Sequence, residues 1–508
     1  MATDNPRPPG GPGGKELVLR GIAWTSGYRV FASLAQFGAM LVLVRVIPPA
    51  DYGRAGAIVG LLTLVNIFSC GVFINQALQL REGEEPNWSL HWRACFWLQA
   101  VLFVATNALA TALWFSPNHR SIAPLMHLAS LGLLFEGASS LRGAMLRRAM
   151  AFRRIRILDG IGKIASILVM LSLGLAGWGA FAIVLGANVV PAVPGALDLL
   201  LVKRWRPDAG WFRFPDWCEY KPAIKFGLQQ SGSGLLHALR GALEAFVFPG
   251  RLGFASLGLL QRAQALFGST VGQVNGIFAD TVYPLLPRHA SDRARYSKIA
   301  THFLQVVCMF VIPGALFVGW QGKALLRLLY GQKWIAADPL ILPAVLIGAG
   351  LCLFASGYKV LLAKTELKRC FALDIAGALL TVPMILVVVL GGDTVVYAWA
   401  LAAGQLGAAA VAIAVAAPLF EPGWLRTVFV PPVTSSAIAF LSVHFVVELD
   451  RLPLGAALVM RAMLFAVVAA LTLRLLFPDV MTLAMHGVPG GERLGKWLRL
   501  PPEMVVEP

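Results

Sequence analysis

The sequence predicts an all-α polytopic membrane protein with about 14 transmembrane helices: two six-helix halves followed by a C-terminal helix pair. Three observations predict it. Hydrophobic residues make up 57% of the 508 residues and charged residues only 14%, against roughly 25% charged in a soluble domain. The mean hydropathy is +0.71. The apolar runs continue for about 20 residues or more, the length a helix needs to cross ~30 Å of hydrocarbon, and not in the ~10-residue alternating segments of a barrel.

The elements follow in order. Residues 1–21 open with the Pro/Gly-rich stretch ATDNPRPPGGPGGK, whose composition predicts a disordered tail. The first apolar segment is longer than a signal-peptide core and lacks a small-residue cleavage site, so the tail is expected to stay in the cytoplasm. The predicted spans are 22–46, 55–80, 94–115, 122–146, 157–176 and 180–202 in an N-terminal lobe (22–202). A basic connector, KRWRPDAGWFRFPDWCEYK, follows over 203–221. A C-terminal lobe (222–416) holds 222–248, 254–286, 299–321, 338–363, 371–391 and 393–416. Spans 428–447 and 455–477 form the final pair (428–477), ahead of a cytoplasmic tail, 478–508. Equal halves of like orientation suggest two repeats related by an axis normal to the membrane.

Charge sets the orientation. The net charge is +17, from 43 Lys and Arg against 26 Asp and Glu. With the N-terminus inside, 26 Lys and Arg fall in cytoplasmic segments and 8 in external ones. That bias places both termini in the cytoplasm and favours contact with anionic membrane lipids. It excludes the nucleic-acid reading of a basic protein, since none of the usual binding signatures is present. Many tryptophans, including Trp24, Trp92, Trp114, Trp178, Trp320, Trp334 and Trp424, fall near predicted span ends, as an interfacial belt requires. The longest external loop is 322–337. The six cysteines form no CxxC pair and the eight histidines no HxxxH or HExxH spacing, so no cofactor or metal is implied.

Nine cations fall inside predicted spans. Arg142, Lys163 and Lys225 lie near cytoplasmic ends, where they can snorkel, and Arg461 and Arg474 lie near the two ends of the last span. Arg29, Arg240, Arg262 and Lys359 lie deeper, where a cation costs at least about 2.5–3.5 kcal/mol and marks a cavity or an acidic partner. Glu244 sits i,i+4 from Arg240 and can pair with it on one helix face; Asp280 and Glu136 are the other nearby acids. The functional reading is a cationic site for an anion, because arginine's fork suits phosphate oxygens. Gln36, Gln229, Gln230, Gln261, Gln264, Gln273 and Asn275 could line a path for sugars.

Six segments carry a family resemblance. They are RVIPPADYG (45–53), SCGVFINQALQLRE (69–82), LRRAMAFRRIRILD (146–159), EAFVFPGRLGFASLGLLQRAQAL (244–266), TVYPLLPRHASDRARY (281–296) and LLYGQKWIAADPL (328–340). In this order and at these span ends they resemble the bacterial polysaccharide transporters, the Wzx-type or O-antigen flippase group, over roughly residues 20–420. Glu244 stands where that pattern has Asp, and Leu260 where an aromatic is common. The resemblance implies the multidrug/oligosaccharidyl-lipid/polysaccharide exporter fold, two six-helix lobes around a central cavity that opens alternately to each side. It also implies a job: moving undecaprenyl-pyrophosphate-linked oligosaccharide from the cytoplasmic to the periplasmic leaflet of the inner membrane, for exopolysaccharide or O-antigen synthesis, with polysaccharide polymerase machinery as a potential partner. On that reading Arg29, Arg240, Arg262, Lys359, Glu244 and Gln261 contact substrate. The same fold with another cargo, a peptidoglycan lipid precursor or a small molecule, is the first alternative. A membrane polymerase or glycosyltransferase is the second, and the short, acid-poor external loops disfavour it. The sequence carries no Walker A motif.

The charge bias makes a direct prediction. A single cysteine introduced at Gly210 on a cysteine-free background is expected to resist an impermeant reagent in intact cells and to react once the membrane is opened. Labelling in intact cells would reverse the orientation.

Overall fold

A computed structural model of the protein describes residues 14–80, 84–201, 205, 207, 210–283, 285–446 and 452–479. Every regular element among them is helical. Among the described residues, ten helices are long and apolar enough to cross a membrane, or eleven if the bent pair Pro49–Asn66 and Cys70–Leu78 is one span. The protein is a multi-pass membrane protein, but the expected count of fourteen is not reached on that measure. The segments predicted at 22–46, 222–248 and 254–286 are helical without meeting it in full. The predicted tails at 1–13 and 480–508 lie outside the described residues.

The chain forms two compact units, Met1–Gly250 and Arg251–Pro508. The first contains α1 (Gly14–Val46), α2 (Pro49–Asn66), α3 (Cys70–Phe73, continued by a 3-10 turn over Ile74–Leu78), α4 (Trp88–Trp114), α5 (Ala123–Arg148) and α6 (Phe152–Leu175). It goes on with α7 (Ala180–Val184), a π turn over Leu185–Val189, α8 (Val193–Leu201) and α9 (Trp217–Arg251). Helices α1 and α6 pack together, as do α4 and α5, and α5 and α8.

Interruptions of these helices are met by side chains. Between α2 and α3 the axis turns by 43°. Ser69 is extended there (φ −72°, ψ 157°), and its hydroxyl donates to Glu136 Oε1 on α5 at 3.1 Å. At the far end of the short element, Arg148 Nη1 of α5 donates to the Ala77 carbonyl at 2.8 Å, and Nη2 donates to the Glu84 carbonyl. Carbonyls with no helical partner have no water to turn to in hydrocarbon, so a side chain must serve them. In the π turn, Ser166 Oγ of α6 donates to the Gly186 carbonyl at 2.5 Å. The PPADYG motif closes a tight corner: Asp51 pairs with Arg54 Nη1 at 2.6 Å, and a Cβ at Gly179 would collide with the Asp51 carboxylate. Gly179 also has φ +49°, so glycine is required there twice over.

Helix α9 packs within the first unit. The Tyr220 hydroxyl is 3.2 Å from His91 Nδ1 in a buried contact, and His119 Nε2 donates to the Phe246 carbonyl at 2.9 Å. Gly227 lies against the Phe73 ring, and α2 crosses α9 where Gly60 meets the backbone of Gly241. The halves read from sequence meet at 203–221, whereas the compact units meet after Gly250, because these contacts hold α9 to the helices before it.

The second unit contains α10 (Gly253–Phe267), a π turn over Gly268–Gly272, α11 (Gln273–Val282), α12 (Leu285–Arg288), α13 (Arg293–Tyr330) and α14 (Ile341–Ala363). It ends with α15 (Leu367–Thr381), α16 (Leu386–Val389), α17 (Thr394–Ala416), α18 (Trp424–Val446) and α19 (Leu454–Leu476). Asp292 and Asp393 cap α13 and α17 through their carboxylates. Small residues let α14 and α17 approach: Gly350 faces Gln405, and Gly357 faces Ala412. Pro431 in α18 has no N–H for the Thr427 carbonyl one turn back, and Gln305 of α13 donates to that carbonyl at 3.0 Å instead. The expected long external loop 322–337 is instead helix through Tyr330, a glycine corner at Gly331 (φ +90°) and a 3-10 helix, Gln332–Leu340. Trp334 is wholly buried edge-on to Tyr330, so it belongs to the core and not to the expected interfacial belt.

The α2–α9 crossing yields an asymmetric prediction. A Cβ at Gly60 would stand 2.5 Å from the Gly241 carbonyl oxygen, but a Cβ at Gly241 comes no nearer than 3.4 Å to Gly60. Gly60→Ala is expected to cost about 1–3 kcal/mol through forced backbone displacement. Gly241→Ala should cost clearly less. Thermal unfolding of the two purified variants checks the difference.

Candidate functional site

Several intramembrane polar residues are held in structural pairs. Arg142 is one of them. Its Nε donates to Asp198 Oδ2 on α8 at 2.5 Å, and Arg154 Nη2 reaches Asp198 Oδ1, also at 2.5 Å. Arg142 is only 6% exposed. The expectation that it snorkels is therefore corrected: it is half of a buried clamp joining α5, α6 and α8. The missed partner, Asp198, had a visible signal, a lone acid inside the apolar run GALDLLL. Arg461 is also engaged, with Nη1 3.4 Å from Gln321 Oε1 and its guanidinium 6.0 Å from the Trp320 ring centre. Asn107, His127 and Ser130 form a third internal group: His127 Nδ1 donates to Asn107 Oδ1 at 2.7 Å, and Asn107 Nδ2 donates to Ser130 Oγ at 3.0 Å.

Of the six residues read as substrate contacts, the structure joins two. Arg240 Nε stands 3.8 Å from Glu244 Oε1 on α9, the i,i+4 pair visible in the sequence. Gln261 and Arg262 are neighbours on α10, both half-buried. Lys359 lies on α14, which packs on α10, and its Nζ is 6.0 Å from the Tyr283 ring centre. Arg29 lies in α1 with its side chain outside the described residues, as do those of Gln229, Gln230 and Asp280.

The seam between α1 and α6 combines charge with open apolar surface. Lys163 donates to Gln36 Oε1 across it, so Lys163 is tied to α1 rather than reaching for the interface. Further along, Arg156 lies over the Tyr28 ring with its Cζ 5.6 Å from the centre, and its Nη1 donates to Asp159 Oδ2 at 2.8 Å. Beside them is a groove of about 550 Å³, floored by Gly27 and Gly160 and walled by Phe31, Ile157, Ile161 and Ile164. No atom stands within 4 Å of where a Cβ would sit on either glycine, so the floor is open. A chain-like apolar group can lie in such a groove with an anionic end at Arg156.

Residues 42–339 match the model of a family described as "Polysaccharide biosynthesis protein". The amylovoran biosynthesis protein AmsL of Erwinia amylovora is 24% identical over 261 residues, 50% of this chain and 66% of the relative. The teichuronic acid biosynthesis protein TuaB of Bacillus subtilis is 26% identical over 200 residues, 39% of this chain and 40% of the relative. The matched region thus spans less than two thirds of either relative's own length. Among solved structures, the lipid II flippase MurJ in an inward closed conformation aligns with a TM-score of 0.71 at 12% identity, covering 91% of this chain and all of that one. An inward-facing multidrug resistance MATE family transporter aligns at 0.58 and 13%, covering 76% of this chain and 94% of that one. The chain therefore shares the fold of these two proteins.

The buried clamp is tested by its asymmetry. Asp198→Ala leaves Arg142 buried without its carboxylate and is expected to cost about 3–5 kcal/mol. The double variant Arg142→Met/Asp198→Leu should recover most of that. Melting temperatures of the purified proteins read both values; equal losses in the single and double variants would contradict the clamp.

Proposed function

The chain belongs to the polysaccharide biosynthesis protein family, and from that premise we propose that it is a flippase for undecaprenyl-pyrophosphate-linked oligosaccharide, carrying it from the cytoplasmic to the periplasmic leaflet of a bacterial inner membrane. The observation that supports this most is the α1–α6 seam, where an apolar groove ends at a guanidinium inside a multi-pass transporter fold. The cargo has the same mixed character: an isoprenoid chain that stays in lipid, and a pyrophosphate that cannot enter hydrocarbon without replacing its hydration.

In the proposal, the isoprenoid chain lies in the α1–α6 groove with Arg156 at its pyrophosphate end, Arg29, Arg240, Arg262 and Lys359 add cationic contacts along the transport path, and Gln261 and Glu244 supply polar contacts to sugar hydroxyls. Both termini lie in the cytoplasm, and a polysaccharide polymerase receives the product. Outward movement of each negative charge gains about 2.3 kcal/mol per 100 mV of inside-negative potential, so no nucleotide is needed.

The cations test the proposal in cells. Each charge-assisted hydrogen bond is worth about 1.5–3 kcal/mol, so Arg262→Ala should weaken substrate binding by roughly one to two powers of ten. Arg262→Lys should rescue only in part, because it keeps the charge and loses the fork. Arg240→Ala should also expose Glu244, whereas Arg262→Ala has no such i,i+4 complication. Glycan export measured with membrane abundance reads the outcome. Full export per folded molecule in Arg29→Ala, Arg240→Ala and Arg262→Ala alike would remove the cationic contacts from the account.

A further inference from the structure

A second cavity, of about 620 Å³, lies within the second unit where α13, the start of α18 and the end of α19 come together. Its lining includes the polar His302, Glu421, Arg426 and Asp479 and the apolar Val430, Pro431 and Phe477. Two contacts shape it. The Glu421 backbone N–H donates to Thr301 Oγ1 at 2.9 Å, which holds the loop before α18 against α13. Gln305, which donates to the Thr427 carbonyl, also lines it. Among the described residues, no salt bridge joins Arg426, Glu421 or Asp479 to one another, and Glu421 acts electrostatically on His302 of the same lining. Three charges of both signs thus surround one cavity without neutralising each other.

Their placement has an order. Arg426 lies in the first turn of α18, at the positive end of the helix dipole. Asp479 follows the end of α19, where unpaired carbonyls give a partial negative charge, and Glu421 adds a second carboxylate. The lining therefore offers a guanidinium for an anion and two carboxylates for a cation. The cavity also sits at a common end of three membrane-crossing helices. Exposed apolar side chains flank it, with Leu425 at 60% and Leu476 at 58% exposure. In a membrane protein such side chains face acyl chains.

We propose that this cavity binds the headgroup of a zwitterionic aminophospholipid, phosphatidylethanolamine. Its phosphate sits on the Arg426 side, its ammonium donates to Glu421 and Asp479, and its glycerol and first acyl carbons lie against Val430, Pro431 and Phe477. A lone anionic lipid would leave two carboxylates facing its phosphate. A choline headgroup would offer the carboxylates no N–H donor. The site is separate from the α1–α6 seam and does not depend on the cargo proposed for the protein.

The test uses the full chain, purified and exposed to equal amounts of phosphatidylethanolamine, its mono- and dimethyl derivatives, phosphatidylcholine and phosphatidylglycerol, with bound lipid read by native mass spectrometry. Retention should be highest for phosphatidylethanolamine and fall with each methyl group. Arg426→Gln, Glu421→Gln and Asp479→Asn should each lower it about tenfold, the loss expected from one charge-assisted hydrogen bond. Excess soluble phosphoethanolamine should not displace the lipid; displacement at matched concentration would assign the cavity to a free solute and overturn the lipid proposal. Equal retention of phosphatidylethanolamine and phosphatidylcholine, a preference for phosphatidylglycerol, or unchanged retention in all three variants would also overturn it. The methyl series needs no variant, so it decides the matter even if a substitution impairs folding.

Discussion

Hydrocarbon offers no hydrogen bonds, and this constraint shapes the fold at several places where a helix departs from regularity. The short α3 element is met from α5, where Arg148 donates to the Ala77 carbonyl and Glu136 accepts from the Ser69 hydroxyl. The π turn after α7 is served by Ser166. The proline in α18 is served by Gln305. In each case the donor or acceptor comes from a different helix, so satisfying the backbone also fixes which helices are neighbours. The same requirement extends to charge. Asp198 is held by two arginines from two helices, and α5, α6 and α8 are tied at one point.

Once such groups are accounted for, what remains is informative. Arg142, Arg148 and Arg461 are committed to particular partners and hold helices together. Arg156 is paired as well, but it also borders an open apolar groove, and a guanidinium beside empty apolar space is a place for an amphiphile. The cavity on α13, α18 and α19 has the reverse design, with charges of both signs left facing its interior. Two sites of different chemistry are thus distinguishable by how completely their charges are engaged.

Much of the helical framework was legible in the sequence, because it depends on local quantities. Ten of the predicted segments coincide with helices long and apolar enough to cross a membrane, and the Arg240–Glu244 contact was readable because i,i+4 spacing is a property of one helix. The errors involve partners far apart in the chain. Arg142 meets Asp198 across 56 residues, and Lys163 meets Gln36 across 127, so neither pairing could be read from spacing. Trp334 looked like an interfacial residue by position but is packed into the core through the Gly331 corner. The packing of α9 with the preceding helices rests on the Gly60–Gly241 crossing and on the Tyr220–His91 contact, which are likewise non-local.

The central claim is that this chain moves an anionic, lipid-linked saccharide across the bilayer, driven by membrane potential. The most direct measurement reconstitutes the full chain in vesicles loaded on one leaflet with polyprenyl-pyrophosphate-linked oligosaccharide and imposes a potassium diffusion potential without nucleotide. The account predicts that the lipid-linked saccharide appears in the opposite leaflet, faster when that side is positive and slower when the potential is reversed. Movement only when ATP is supplied, or none above protein-free vesicles at either polarity, would contradict it.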